Sequence, residues 1–418
     1  MPDPVTLLRS YKVELDPNNT QRTAFKRHAG AARFVWNWAL AECKRDYEER
    51  KLTTLEGEIK ALTPFDLDSR LPIIKTTTHP WLAELSAQSI RAPLPHLQTA
   101  FRTFFKNVKA GKKPGYPRFK KRGVCRTSFQ FPEYVTLTDS SIKLPKIGRV
   151  RLKEHGYVPT DRPVKTVTIS ERAGRWYASV LIGDVDPVKV ETTGSVLGID
   201  LGVTTLAVCS DGTQYENSKH LGASQRSIRK LSKRLSRQKK GSVRRAKTRA
   251  RLAKVHARVG FQRSDAIHKM TSEIVKTKRP SAIVIEDLNV SGMTKNHCLA
   301  RAISGASFGE IRRQLTYKTE WYGVRLIMAD RFYPSSKTCS GCGAVKTVLD
   351  LWARTYCCDS CGLSIDRDVN AALNLQAYGG QILAGGTPVT ARGGIVRPAE
   401  LALTADLVEA RTDLRVAS

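Results

Sequence analysis

Four cysteines, Cys339, Cys342, Cys358 and Cys361, make two CxxC pairs separated by fifteen residues, and a glycine follows each pair, Gly343 and Gly362. Thiolates at this spacing predict a closed tetrahedral site for a structural Zn²⁺, with the glycines supplying the turns of two knuckles. Cys357 stands one position off that spacing and is read as a spare thiol. Acids form a second candidate set. Asp200 lies in GIDLG, Glu286 in IVIED, and Asp366 and Asp368 lead into VNAALNL. A carboxylate buried unpaired in an apolar run is expensive, and a divalent cation compensates it. Oxygen ligands favour Mg²⁺ or Mn²⁺ over zinc. Two such ions about 4 Å apart activate a water and stabilise the leaving oxygen of a phosphodiester. The stretch CCDSCGLSIDRDVNAALN therefore raises a question of two metals, with an aspartate at the start of its helix completing the oxygen set.

The elements that would position these groups show alternating periodicity. From residue 196, VLGIDLGVTTLAVC reads as two apolar strands, SAIVIEDL as a buried strand, about 305 to 321 as a helix and VRLIMADRF as another strand, an α/β pattern with a mixed sheet. Asp200 and Glu286 then stand at the carboxyl edge, where open sheets place their sites. Gly202 lets backbone approach Asp200 closely, and Ala371, Ala372 and Leu375 suit a helix packed tightly on the sheet. Upstream, SYKVEL at 10 to 15 alternates like a strand, DPNNT supplies a turn and cap, and a helix follows to about residue 50 with Trp36 and Trp38 as packing residues. A second helical region spans about 80 to 110, which Pro93 and Pro95 must kink or divide. Short strands between 115 and 190 predict an antiparallel barrel or sheet. The expected class is thus α+β and multidomain. A β part with a helical insert (1–190) precedes an α/β part (191–335), a zinc ribbon (336–364), a last acid-bearing segment (365–376) and a peripheral tail (377–418).

Charge restricts the partners. The chain has 418 residues, and 70 Lys and Arg against 38 Asp and Glu give a formal charge of +32, far beyond what solubility needs. No apolar run reaches a spanning helix and no lipidation signal is visible, so a nucleic-acid backbone is the expected anion rather than a membrane. The N-terminal MPDP lacks the pattern of a secretory signal, and the cysteine usage suits a reducing cytoplasm. Cys43, Cys125, Cys209 and Cys298 are single and read as structural, and His256 and His268 as structural or phosphate contacts. Residues 226–258 carry fifteen Lys or Arg and no acid, and their apolar stripes predict a helical hairpin about the Gly241-Ser242 turn. Arg226, Arg229, Lys230, Lys233 and Arg234 lie on its first arm, Arg237, Lys239 and Lys240 near the turn, and Arg244 and Arg245 open the second arm. A face without interleaved acids is expected on a phosphate backbone. A shorter run, 106–123, interleaves Tyr116 and Phe119 with Lys112, Lys113, Arg118, Lys120 and Lys121, and predicts contact with single-stranded or A-form nucleic acid.

Taken in order, GIDLGV, VIEDLNV, CSGCG, CDSCG and DRDVNAALN resemble the TnpB family of transposon-encoded RNA-guided DNA nucleases, relatives of the type V CRISPR effectors. FVWNWAL, FRTFFKNVKAGKKPGYPRFKKR and FYPSSKTCSGCG extend the likeness over most of the chain. The resemblance implies a RuvC-type, RNase H-like nuclease domain interrupted by a zinc ribbon, and a wedge barrel with a helical recognition insert. It implies Asp200, Glu286 and, from DRD, Asp368 as the catalytic acids. It also implies a structured guide RNA from the transposon end and double-stranded target DNA, with the protein reading a short adjacent motif. Gln88, Arg91 and Gln130 are the candidates for that readout. The expected enzyme is a monomeric Mg²⁺-dependent endonuclease. A strand-joining transposase and a non-cleaving guided binder are the rival classes.

Overall fold

The structure, a computed structural model, describes residues 7–53, 62–185, 191–350 and 352–385. By internal contacts the chain forms two units, one of residues 1–188 with 223–262 and one of 189–222 with 263–418.

The first unit begins with β1 (Leu7–Asp16) and enters α1 (Asn19–Thr53). Asn18 and Gln21 cap α1 reciprocally: each side-chain oxygen accepts the other's backbone N–H, at 2.9 and 3.0 Å. This is the cap that the DPNNT turn predicts. Three more helices follow: α2 (Pro64–Thr77), α3 (Ala87–Arg91) and α4 (Pro93–Lys109). Pro93 and Pro95 open α4, where a missing N–H costs nothing, so the expected division falls just before Pro93. Sequence reading missed α2, whose Thr63 and Asp66 form a capping box. Trp36 is 8% exposed within the helical core, as its spacing predicted.

The chain then forms β2 (Ser128–Phe131), β3 (Thr136–Leu137), β4 (Ser141–Leu144), β5 (Gly148–Leu152), β6 (Val164–Arg172) and β7 (Arg175–Val185). With β1 they make one seven-stranded sheet in the order β2-β6-β7-β1-β5-β4-β3, every pairing antiparallel. Inward residues such as Val13, Phe129, Ile142, Val150, Ile169 and Trp176 share one core with Phe25 and Ala29 of α1. A single core reached from nearly every strand is the packing of a barrel-like sheet. The basic stretch forms α5 (His220–Ser236) and α6 (Val243–Ser272), joined through Gly241 at φ 86°. Through 223–262 it belongs to this first unit by contacts.

The second unit contains β8 (Val196–Asp200), β9 (Thr205–Cys209), β10 (Gln214–Glu216), β11 (Ala282–Glu286) and β12 (Arg325–Ala329). Their order is β10-β9-β8-β11-β12. The first three run as an antiparallel meander, and β11 lies parallel to both β8 and β12. This mixed sheet is the one expected of an RNase H-like domain. Short helices α7 (Val290–Met293) and α8 (Ala300–Ala306) lead to α9 (Phe308–Tyr322). The ribbon hairpin β13 (Thr355–Cys357) and β14 (Ser364–Asp366) runs directly into α10 (Arg367–Leu383).

One expectation is corrected here. The glycines after Leu375 predict a peripheral tail from 377, yet α10 continues to Leu383 with Tyr378 and Gly379 buried. A Cβ on Gly379 would lie 2.4 Å from Val284, so this glycine is a contact of helix on sheet and not a breaker. Residues 386–418, the rest of the expected tail, and residues 186–190, where the sequence VDPVKVETTGS at 185–195 reads as a linker, lie outside the described residues. Among the described residues no helix is long and apolar enough to cross a membrane.

Candidate functional site

Asp200 ends β8 and Glu286 ends β11, and the parallel register pairs Ile199 with Ile285, so the two acids leave the sheet at the same level. Asp368 enters from α10, which lies against β8 at backbone contact distance: a Cβ on Gly198 would come within 2.0 Å of the Ala372 carbonyl oxygen. Only glycine on the strand and small residues on the helix permit that approach. Behind Asp200, a Cβ on Gly202 would be 2.6 Å from the Thr205 carbonyl, which is the close backbone approach read from the sequence.

The charges of Glu286 and Asp368 act on Asp200. The Asp200 pKa is pushed up to about 8, first by burial and then by the charges of Glu286 and Asp368, with Arg367 opposing. Asp368 is raised by burial and by Asp366, against Arg354 and Arg367. Carboxylates sharing one site resist ionising together unless a cation joins them. The donor set therefore fits a hard divalent ion such as Mg²⁺. Asp366 does something different. Its Oδ1 accepts the backbone N–H groups of Asp368 and Val369 at 2.9 and 3.0 Å, making it the N-cap of α10. Asp287, beside Glu286, is also engaged elsewhere. Burial would raise its pKa, but hydrogen bonds from Arg331 and Arg312, at 2.6 and 2.7 Å, outweigh that and hold it below its ordinary range.

Cys339, Cys342, Cys358 and Cys361 bring their sulfurs within 4.8 Å of one another, and among the described residues no other group of His, Cys, Asp and Glu meets that criterion. The Cys339–Cys361 and Cys342–Cys358 sulfurs are each 3.6 Å apart, near the roughly 3.8 Å of a tetrahedral Zn–S cage. The two knuckles repeat each other: the Gly343 N–H bonds to the Cys339 carbonyl at 2.9 Å, and the Gly362 N–H to the Cys358 carbonyl at 3.0 Å. Both glycines have positive φ, 77° and 73°, as the turns require. Backbone N–H groups of Cys361 and Ser360 hold the Cys358 thiol down at about 6, toward the thiolate a metal needs. Cys357 stays outside, exposed, beside the Ser364 hydroxyl. This set fits zinc.

The basic residues divide. Arg226, Arg229, Lys230, Lys233, Arg234, Arg237, Lys239, Lys240 and Arg244 are exposed along the hairpin. Arg245 instead turns inward, its Nη1 donating to the carbonyls of Leu235 and Gln238 at the end of α5. In the 106–123 run, Lys112, Lys113, Arg118 and Lys121 are exposed. The Lys120 ammonium lies 3.7 Å from the Trp36 ring centre, and Tyr116 packs edge-on against Phe101 and Phe104. Trp36 and Asn37 of α1 pin this loop through the carbonyls of Arg118 and Lys120, both at 3.0 Å. Of the readout candidates, Arg91 pairs with Asp68 at 2.8 Å and Gln130 with His96 at 2.7 Å, while the Gln88 Oε1 is buried without a hydrogen-bond partner.

Sequence reasoning did not single out Ser335, Asn370 or Asn374. The Ser335 hydroxyl donates to Glu286, and the two asparagines reach from α10 to the first knuckle. Their spacing by four residues in NAALN, with only small and apolar residues between, was the available signal.

Comparisons with known proteins add to this geometry. Family models described as "Probable transposase", "Cas12f1-like, TNB domain" and "Helix-turn-helix domain" match residues 179–297, 308–375 and 1–51. The last match covers β1 and most of α1, a strand and one long helix here. The chain is 37% identical over 395 residues to a "Putative RNA-guided DNA endonuclease" of Streptomyces pristinaespiralis, covering 93% of this chain and 92% of that one. It is 32% identical over 400 residues to the "Putative RNA-guided DNA endonuclease InsQ" of Escherichia coli K12, covering 91% and 95%. In fold it resembles a chain of the solved "Cas12f1-sgRNA-target DNA complex" with a TM-score of 0.53 at 14% identity, over 89% of this chain and 99% of that one.

Proposed function

Since the chain belongs to the TnpB family of RNA-guided DNA endonucleases, we propose that it cuts double-stranded target DNA beside a short adjacent motif, using Asp200, Glu286 and Asp368 as the acids of a RuvC-like, Mg²⁺-dependent site. The observation that supports this reading is placement: Asp200 and Glu286 end neighbouring parallel strands, Asp368 lies on a helix packed against β8 at backbone distance, and the Asp200 pKa is raised by burial and then by the charges of the other two. Magnesium bound there would supply an activated water and stabilise the oxygen that leaves the phosphodiester. The protein's part is positional. The sheet fixes Asp200 and Glu286 at one level, the cap at Asp366 fixes the first turn of α10, and Arg354 and Arg367 add positive charge beside the acids.

The remaining assignments follow from charge and placement. A guide RNA from the transposon end would lie along the exposed cations of α5 and α6 and of the 112–121 loop. Gln88, Arg91 and Gln130 would face the adjacent motif, the latter two directed by Asp68 and His96. Zinc would close the four thiolates as a structural ion, and the protein would act as a monomer. The test is purification with its RNA, followed by cleavage of DNA that matches the guide. Cleavage requires Mg²⁺ and disappears in D200A, while RNA binding stays intact. Cutting by D200A would overturn the assignment of acids, and strand joining without RNA would favour a transposase.

A further inference from the structure

The nuclease reading gives no task to one buried hydroxyl and two buried amides. Ser335, 3% exposed, lies between β12 and the first knuckle, and its Oγ donates to the Glu286 Oε1. Its carbonyl accepts the Asn374 amide at 2.8 Å. The same Asn374 Nδ2 also donates to the Thr338 carbonyl at 2.7 Å. One turn earlier on α10, Asn370 donates to Thr338 at 2.7 Å and accepts the Ser340 N–H at 2.9 Å. Thr338 and Ser340 flank Cys339, the first thiolate. Both asparagines are almost fully buried, on the helix that carries Asp368. Buried amides persist where their hydrogen bonds are made, and a connected set holds one geometry more firmly than separate contacts do. A continuous path therefore runs from the first knuckle through Asn370 and Asn374 to Ser335 and on to Glu286.

We propose that Ser335 is a positioning residue of the nuclease site, holding Glu286 through one oxygen and leaving the other for the cation, and that Asn370 and Asn374 make this position depend on the closed four-cysteine knuckles. The inference rests on the reading of the three acids as a cation site. It makes zinc occupancy a determinant of magnesium affinity, although the four thiolates take no part in hydrolysis. Partners that orient a metal ligand typically change affinity by about 10–100-fold when removed.

The test titrates the full-length, zinc-loaded protein with Mn²⁺, followed by electron paramagnetic resonance without RNA or DNA. S335A should weaken Mn²⁺ binding by about tenfold or more, and S335T, which keeps the hydroxyl, should restore most of it. N374A should shift affinity the same way with zinc content unchanged. C342S/C361S, unable to close the knuckles, should lose a similar factor, and adding S335A to it should cost little more, because the groups act along one path. S335A binding Mn²⁺ like the wild type would overturn the positioning role, and unchanged affinity in C342S/C361S would overturn the dependence on zinc. D200A separates the two readings. If D200A binds Mn²⁺ as well as the wild type, the acid site itself fails and this inference falls with it. If D200A is blind to Mn²⁺ while S335A matches the wild type, only this inference fails.

Discussion

Asp366 and Asp368 stand two positions apart and have opposite environments. Asp366 takes extended backbone angles, φ −56° and ψ 133°, and turns its carboxylate onto the first N–H groups of α10. Asp368, in the first turn of the helix, is not used as the cap, and its charge raises Asp200 more than that of Asp366 does. Asp366→Asn should keep the cap and retain cleavage, Asp366→Ala should cost about 1 kcal/mol in denaturant melts, and Asp368→Asn should abolish cleavage without loss of stability, since burial already holds the Asp368 pKa up. Loss of cleavage in D366N with full activity in D368N would reverse the two roles. Spacing alone displayed both aspartates without separating them, and only the family resemblance favoured Asp368, because the capping role of the other depends on the backbone angles at 366. Asp200 yields a second prediction. Its pKa of about 8 against an ordinary 3.8 means that the folded chain keeps a proton the unfolded chain releases. The unfolded chain therefore binds fewer protons, and the metal-free protein should lose stability as pH rises from about 4 to 8. Asp200→Asn removes that cost. Without divalent ions D200N should be the more stable by about 1–3 kcal/mol near pH 8 and equal near pH 4. Mg²⁺ should raise the Tm of the wild type and leave D200N unmoved. Parallel pH profiles for the two proteins would contradict this account.

Elements place these residues through close approach. Gly198 of β8 meets the backbone of α10, and Gly379 of α10 meets Val284 and Val196 of the sheet. A methyl group at 198 has rigid backbone to displace, so Gly198→Ala should cost about 3 kcal/mol and separate Asp368 from Asp200. Gly380, next along the helix, has nothing within 4 Å of an added Cβ. Gly380→Ala should leave cleavage intact and stabilise by about 0.5–1 kcal/mol through helix propensity. Thermal melts of the two variants check the contrast, and equal effects would contradict the packing argument. The pair also shows where sequence reading succeeds and fails. Ala371, Ala372 and Leu375 announced a tightly packed helix, because small residues at helical spacing imply a near neighbour. The glycines at 379 and 380 look identical in sequence, and only the strand beneath separates a required absence of Cβ from an incidental one. In the same way, the CxxC spacing made the knuckles legible, whereas the amides that anchor the first of them were hidden in a run that also reads as ordinary helix.

For the whole molecule, charge sets the terms of binding. With +32 formal charges, affinity for RNA should fall steeply with salt. Replacing Lys230, Lys233, Arg237 and Lys240 by Gln should weaken RNA binding and reduce the slope of log K against log salt by about 3, at roughly 0.7–0.9 per phosphate contact. Arg245→Gln should act differently: its guanidinium closes the end of α5, so the loss appears in hairpin stability rather than in the salt slope. An unchanged slope for the fourfold variant would remove the hairpin from the RNA path. Composition made this surface visible, while the inward turn of Arg245 and the seat of Lys120 on Trp36 depend on packing that no charge count reveals. The joint between ribbon and helix matters for anyone shortening the molecule. β14 ends at Asp366 and α10 starts at Arg367, so the residue that closes the hairpin is the residue that caps the helix. No linker exists there to cut, and a truncated or transplanted nuclease must keep the ribbon as part of its catalytic frame or be given a new start for α10.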